Sequence, residues 1–354
     1  MKPSLRHRLW IVSIGVLGGA GFGIAYTVTM GRGVLTQGAL AGALIAIGIG
    51  VLESLAALPK ARRLLGRLPF AAFVAVRTAI WIAWTVAVLL FVPFALHDAS
   101  AKSADFFARA IAYSVVVSLL VAALLEVSRL LGFGTLWNLF VGRYHRPRIE
   151  KRAFLMLDLV GSTAVAERIG DERFLALLDR LISDIGEDIA AHAGEIYRYV
   201  GDAIIASWPV ERAILDAAIV RCLFAVADRM SRDRATYVRE FGVEPKVRSA
   251  LHAGPIAVGE VGDARREITF LGDTLNTAAR IEKACGELGR DAVISGPLLA
   301  RLTLPAGIRA DPLGEIALAG KARPMPLYAL VAVGTRAGDQ PANTAPAPLS
   351  RASR

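Results

Sequence analysis

Hydrophobic positions divide this 354-residue chain into two unlike halves. Up to about residue 130 the apolar residues form long runs, at 10–29, 34–57, 70–96 and 108–128. Each run is near or above the ~20 residues that an α-helix needs to cross a bilayer. Beyond about residue 150 the runs shorten and alternate with polar positions, as in a domain with its own aqueous surface. There the pattern predicts a strand at 153–159, a helix over 163–192, strands at 194–200 and 203–208, and a helix over 210–231. Strands at 245–253, 255–261 and 267–271, a helix at 274–287 and strands at 291–295, 312–319 and 325–332 complete it. This order predicts an α+β domain, with helices over a mainly antiparallel sheet, behind an all-α domain of four transmembrane helices in residues 1–132.

Residues 133–152 read as a membrane-proximal linker, amphipathic through Phe133, Trp137, Phe140 and Tyr144 and then basic. Residues 153–332 are the soluble domain. Residues 333–354, rich in Ala, Pro, Gly, Ser and Arg, read as a disordered tail.

Charge sharpens this division. Residues 1–152 hold 17 Lys and Arg against 5 Asp and Glu, a balance of +12, and the remainder holds 24 against 26, or −2. The basic excess therefore belongs to the apolar half, which argues against nucleic acid as a partner. It clusters before the first run (Lys2, Arg6, Arg8), after the second (Lys60, Arg62, Arg63, Arg67) and after the fourth (Arg143, Arg146, Arg148, Lys151, Arg152). By the positive-inside rule, four spans in a cell inner membrane with both termini and the soluble domain in the cytoplasm satisfy that pattern. Glu53, Arg77 and Glu126 lie near span ends and read as snorkelling anchors. Gly18, Gly19, Gly21 and Gly23, and Gly42, Gly48 and Gly50, suggest close helix–helix contact. Cys222 and Cys285 read as buried, unpaired thiols.

Candidate chemistry lies in the second half. Asp158 ends a buried apolar strand, and Asp202 follows Gly201 in a turn between two apolar runs, which is a hairpin signal. A hairpin beside the first strand brings both carboxylates to one edge of the sheet. Two carboxylates, with the Leu159 carbonyl, suit Mg²⁺ or Mn²⁺ whose shell is completed by phosphates. Gly161, Ser162 and Thr163 open a helix whose free N–H groups can hold polyphosphate. Asn276 and Arg280 are four apart on a helix and face the same way, an amide and a planar cation suited to a ribose and a phosphate.

Taken together, Phe154–Thr163, Gly201-Asp202, Leu251–Gly259 and Gly272-Asp273-Thr274-Leu275-Asn276 with Arg280 resemble the class III adenylate/guanylate cyclase catalytic domain. So does the ending Leu313-Gly314, Leu318, Gly320-Lys321 and Arg323-Pro324. The likeness covers about residues 150–332. It implies a ferredoxin-like fold and a head-to-tail homodimer converting ATP to cyclic AMP and pyrophosphate. It also implies two metal ions on Asp158 and Asp202, with Asn276 orienting the ribose and Arg280 stabilising the transition state from the partner subunit. The base-selecting positions, by the same likeness, are Arg198 and Thr269. Arg198 stands where adenine-specific members carry Lys and suits an acceptor on the base, so ATP is the expected substrate. Lys321, and the Arg265 and Arg266 pair, are candidate triphosphate contacts, whereas His252 reads as structural and Asp273 as a turn former and helix cap. Two other readings are a guanylate cyclase and a non-catalytic membrane receptor or scaffold that keeps this fold for dimerisation.

Overall fold

A computed structural model of the chain describes residues 3–30, 35–56, 70–95, 104–131, 142–263 and 267–333. The chain divides into two compact units, Met1–Leu136 and Trp137–Arg354.

Among the described residues the first unit contains four helices, α1 (Pro3–Met30), α2 (Leu35–Ala56), α3 (Phe70–Ala95) and α4 (Ala104–Leu131), one over each apolar run. Within α2 and α3, Leu35–Leu55 and Ala75–Val92 are long and apolar enough to cross a membrane; among the described residues the apolar stretches of α1 and α4 are Gly15–Thr29 and Ala108–Val121. α1 and α2 approach closely because each carries glycines four apart on the facing side. A Cβ on Gly23 would sit 1.8 Å from the Gly38 carbonyl oxygen, and one on Gly42 would sit 2.0 Å from that of Gly19. Gly18, Gly21 and Gly50, also expected at contacts, have open space around them. Arg77 departs from the snorkelling expectation. It is 9% exposed, and its Nε donates to Glu53 Oε1 at 2.7 Å, joining α3 to α2. In apolar surroundings a charge is held at lower cost by a partner than alone. The Glu126 side chain and the basic loops at 57–69 lie outside the described residues.

The second unit runs β1 (Arg148–Leu159), α5 (Ser162–Ile169), α6 (Asp171–Ala191), β2 (Glu195–Val200), β3 (Ala203–Pro209), α7 (Val210–Ile214), α8 (Ala218–Phe241) and β4 (Val247–Val261). It ends with β5 (Glu267–Leu271), α9 (Asp273–Glu287), β6 (Ala292–Ser295), α10 (Gly296–Leu299), β7 (Ile308–Ile316) and β8 (Met325–Ala332). The strand order is β2-β3-β1-β4-β6-β8-β7, with β5 also on β4. The β1-α-β2-β3-α-β4 part, ordered 2-3-1-4 and antiparallel throughout, is the ferredoxin-like arrangement; β4 with β6 is a parallel pair.

Alternation along β1 assigns its two faces. Ala153, Leu155, Leu157 and Leu159 pack against α6 and α8, whereas Phe154 and Met156 share a core with Ala278, Ile281 and Cys285 of α9. Asp158 has the parity of Phe154 and Met156, so it belongs to the α9 face.

Four expectations are corrected. The helix over 163–192 is two helices, broken at Gly170 with φ +83°. The helix over 210–231 becomes α7, a 3₁₀ turn with left-handed Asp216 and Ala217, and an α8 that continues to Phe241. Its extension is fixed by buried Tyr237, which donates to Asp184 Oδ2 at 2.9 Å. The strands at 245–253 and 255–261 are one, β4. Pro255 interrupts nothing because β6 pairs with 249–251 and β5 with 257–261, so neither of these two pairings includes Pro255. Tyr144, assigned to the linker, is 5% exposed in the core of this unit and donates to Glu150 Oε1 at 3.1 Å. The rest of the amphipathic linker at 132–141 and the tail at 334–354 lie outside the described residues.

Candidate active site

The acidic group forms where β1 ends beside the β2–β3 hairpin. Leu157 pairs with Ile204 in the β1–β3 ladder, and Val200 pairs with Ala203 across a two-residue turn made by Gly201, at φ +63°, and Asp202. Only a residue tolerant of positive φ closes this turn without strain. Asp158 and Asp202 thus meet at one end of the sheet. Burial lifts the Asp158 pKa above the usual carboxylate range, the Asp202 charge lifts it further, and Arg248, its register partner on β4, opposes both. The two carboxyls are close enough that hydrogen bonding between them adds a last, smaller rise. On α9, Glu282 is raised by burial and then by Asp158, with Arg248 opposing and Asp202 adding to the rise.

This group fits a hard divalent cation, which would take the place of the proton between two like-charged oxygens. Among the described residues no three His, Cys, Asp or Glu side chains are arranged to hold a metal. The donor set is therefore the two carboxylates and a carbonyl, open to further oxygens from a ligand. Leu159 buries its side chain in the α6–α8 core, so any contribution it makes to a metal would come from its backbone carbonyl. Gly161, at φ +68°, turns the chain into α5, so that the helix begins at Ser162, four residues after Asp158. Neither hydroxyl caps that helix.

The cationic group gathers at α9 and the β7–β8 connection. Leu318 to Lys321 form a turn closed by the Lys321 N–H on the Leu318 carbonyl at 2.9 Å. That turn sets Gly320 against Arg280, whose Nη2 would be 3.2 Å from a Cβ there, and sets Lys321 in an ion pair with Asp273. Asp273 makes no capping hydrogen bond, contrary to expectation; its role here is to hold Lys321. The hydrogen bond from Lys321 is the main cause that lowers the Asp273 pKa. The start of α9 is pinned by Thr274, whose Oγ1 donates to the Pro255 carbonyl at 2.6 Å. Gly254 permits this approach, since a Cβ there would be 2.6 Å from that oxygen. His252 lies beneath, sharing a 2.8 Å hydrogen bond with Ser295 Oγ. Burial, aided by the Lys321 charge, lowers its pKa to about 4, so it is neutral and structural.

The two groups face opposite ways. At about 100° per residue, the buried stripe Thr274, Thr277, Ala278, Ile281 and Cys285 divides α9 into two flanks. Asp273, exposed Asn276 and Arg280 fall on one flank, and Glu282 falls on the other with Gly286, where Arg248 packs. Arg280 is not among the charges that shift Asp158. One chain thus brings Asp158 to Asp202 and Arg280 to Lys321, but does not bring these pairs together.

Arg198 and Thr269 belong to a third cluster. Arg198 Nη2 donates to Glu267 Oε2 at 2.6 Å, joining β2 to β5, and Thr269 shares the Glu267 side of β5. The Arg198 guanidinium lies 5.3 Å from the Tyr197 ring, and that ring stacks on Phe270 at 4.4 Å. Arg265 and Arg266 lie outside the described residues.

Sequence reasoning missed Glu267, Arg248 and Glu282. Glu267 had a local signal, two residues before Thr269 on the same strand face. Glu282 had a weaker one, an acid on the far flank of the Arg280 helix. Arg248 had none, because only the β1–β4 register places it beside Asp158.

Residues 145–332 match the family model described as the adenylate and guanylate cyclase catalytic domain. Adenylate cyclase 2 of Rhizobium meliloti (strain 1021) is 39% identical over 227 residues, covering 64% of this chain and 62% of the relative. Adenylate cyclase 1 of the same organism is 30% identical over 198 residues, covering 54% of this chain and 29% of the relative. This chain thus spans less than two thirds of the length of either. Among solved structures, a bacterial light-regulated adenylyl cyclase superposes with a TM-score of 0.53 at 16% identity, over 61% of this chain and 63% of that one, a likeness of fold.

Proposed function

The chain belongs to the adenylate and guanylate cyclase catalytic domain family, and from that premise we propose that it is an adenylate cyclase, converting ATP to 3′,5′-cyclic AMP and pyrophosphate. The observation that carries the reading is the Asp158–Asp202 pair brought together at one sheet end, with Arg280 on the far flank of α9. The 39% identity to a protein named adenylate cyclase supports ATP as the substrate.

In the reaction the ribose 3′-oxygen bonds to the α-phosphorus, the bond from that phosphorus to the bridging oxygen breaks, and pyrophosphate leaves while the 3′-hydroxyl proton goes to solvent. Asp158, Asp202 and the Leu159 carbonyl would hold two Mg²⁺ or Mn²⁺ ions, which supply Lewis-acid chemistry and countercharge for the phosphates when bound. The chain's own groups do the rest. N–H groups of Gly161, Ser162 and Thr163 at the start of α5 hold phosphate oxygens. Asn276 orients the ribose, Lys321 binds the triphosphate, and Arg280 donates to the oxygens on which charge develops. Arg198 and Thr269 read the base.

Because the two flanks of α9 diverge, Asp158 and Arg280 of one protomer cannot serve one nucleotide. A homodimer resolves this: each site takes its carboxylates from one copy and its Asn276 and Arg280 from the other. α1 to α4 serve as a four-span anchor in the inner membrane, with the catalytic domain and both termini in the cytoplasm. The pairing of Arg77 with Glu53 supports that placement, since apolar helices facing lipid satisfy their charges internally. The test is the purified chain with Mn²⁺ and either ATP or GTP, assayed for cyclic product. Cyclic AMP is the expected major product; a preference for GTP overturns the substrate assignment, and no product from either overturns the activity.

A further inference from the structure

We propose that Thr274 is a positioning residue for the reaction: its hydroxyl, bonded to the Pro255 carbonyl of β4, fixes the roll and axial place of α9 and so aims Asn276 and Arg280. The inference rests on the adenylate cyclase reading above and adds to it a residue that acts through a helix rather than on the nucleotide. Asn276 and Arg280 follow Thr274 on α9 and share one flank, so a roll of the helix about its axis displaces both. A displacement of about 1 Å is enough to cost a reaction up to ~10²-fold.

The buried stripe of α9 holds the helix down but does not by itself fix its roll. Ala278, Ile281 and Cys285 make apolar contacts in the core, and such contacts are non-directional. A hydrogen bond is directional. Thr274 is buried, and its Oγ1 donates to the Pro255 carbonyl at 2.6 Å. The acceptor stands on a rigid strand, in the interval of β4 between the ladder to β6 at 249–251 and the ladder to β5 at 257–261. No side-chain hydrogen bond caps the start of α9, so this contact carries the orientation there. Near the other end Cys285 Sγ lies 3.5 Å from the Ser249 carbonyl, and a thiol is a weak donor. Gly254 is fitted to the contact, since a Cβ there would be 2.6 Å from Thr274 Oγ1. Thr277 supplies the contrast within the same stripe. It is fully buried, and among the described residues its hydroxyl has no hydrogen-bond partner. One threonine ties α9 to β4, and the next does not.

The experiment measures kcat and KM for ATP in the full-length chain carrying Thr274→Val, Thr274→Ser, Gly254→Ala or Thr277→Val, each assayed well below its own melting temperature. Thr274→Val keeps the shape and removes the hydroxyl. Its kcat is expected to fall about tenfold or more with KM changed by less than about threefold, the pattern of groups present but misaimed. Thr274→Ser restores the hydroxyl and is expected to keep at least about half of kcat. Thr277→Val makes the same exchange one turn on, where no hydrogen bond is lost, and is expected to leave kcat within about twofold. A residue needed for packing alone would lower the melting temperature and leave kcat of the folded chain unchanged. An unchanged kcat in Thr274→Val, a loss carried by KM alone, or an equal loss in Thr274→Ser or in Thr277→Val overturns the proposal. If Thr274→Val does not fold, Gly254→Ala decides: its methyl displaces the same hydroxyl, so the same fall in kcat is expected, and an unchanged kcat overturns the proposal. A silent unaltered chain overturns the cyclase reading, and this inference with it, whereas an active chain with indifferent variants overturns this inference alone.

Discussion

The two flanks of α9 carry opposite chemistry. One faces a group of carboxylates with a single opposing guanidinium: Asp158, Asp202 and Glu282 with Arg248. The other carries two cations with a single opposing carboxylate: Arg280 and Lys321 with Asp273. Each group is partly neutralised from within, and each retains an excess of one sign. An acidic excess attracts metal, and a cationic excess attracts phosphate. A metal–triphosphate needs both at once, so on the proposed reading a single protomer supplies half of each site. The separation follows from helix geometry, because Arg280 and Glu282, two residues apart, point about 200° apart around the axis.

The comparison is tested most severely at the acidic flank. Asp158→Ala or Asp202→Ala is expected to lower kcat by at least ~10³-fold, with the circular dichroism spectrum unchanged because neither side chain is part of a packed core. Residual activity near the unaltered level would remove the metal role. Next comes the cationic flank. Arg280→Ala is expected to cost ~10²–10³-fold in kcat, the usual loss on removing a donor aimed at developing charge. A change confined to KM would move Arg280 from transition-state stabilisation to ground-state binding.

A third test concerns the support beneath the cationic flank. His252 is neutral in the fold with a pKa near 4, against 6.5 when unfolded. The unfolded chain therefore binds the extra proton between these values, so stability is full above pH 6.5 and falls as pH drops towards 4. The difference corresponds to about 3 kcal/mol. Thermal unfolding followed from pH 7 to pH 4.5 should show this fall in the unaltered chain and a shallower one in His252→Gln. The smallest effect is expected at Lys321→Ala, a rise in KM of roughly tenfold, the loss of one charge-assisted contact to phosphate. An unchanged KM would leave Lys321 as nothing more than the partner of Asp273.

Much of this was legible in the sequence, for identifiable reasons. The four apolar helices follow from run length. Asp158 and Asp202 were legible because an apolar strand and a Gly-Asp hairpin fix their positions through local rules. Asn276 and Arg280 were legible as an i, i+4 pair. What escaped was whatever tertiary register decides. Glu267 meets Arg198 only because β5 is brought to β2 through the Tyr197–Phe270 stack, and Arg248 meets Asp158 only through the β1–β4 ladder. The break at Gly170 was hidden by an apolar period that continues across it, although a glycine stood there to announce it. Arg77 was misread because its partner, Glu53, is 24 residues away on another helix.

The central claim is that each nucleotide is served by the Asp158 and Asp202 of one copy and the Arg280 of another. Mixing the inactive Asp158→Ala and Arg280→Ala chains tests it most directly. Random pairing makes half of the dimers mixed, each with one intact site, so cyclic AMP synthesis should return to about a quarter of the unaltered rate. A mixture as inactive as its two components, with mixed dimers demonstrated, would contradict the account.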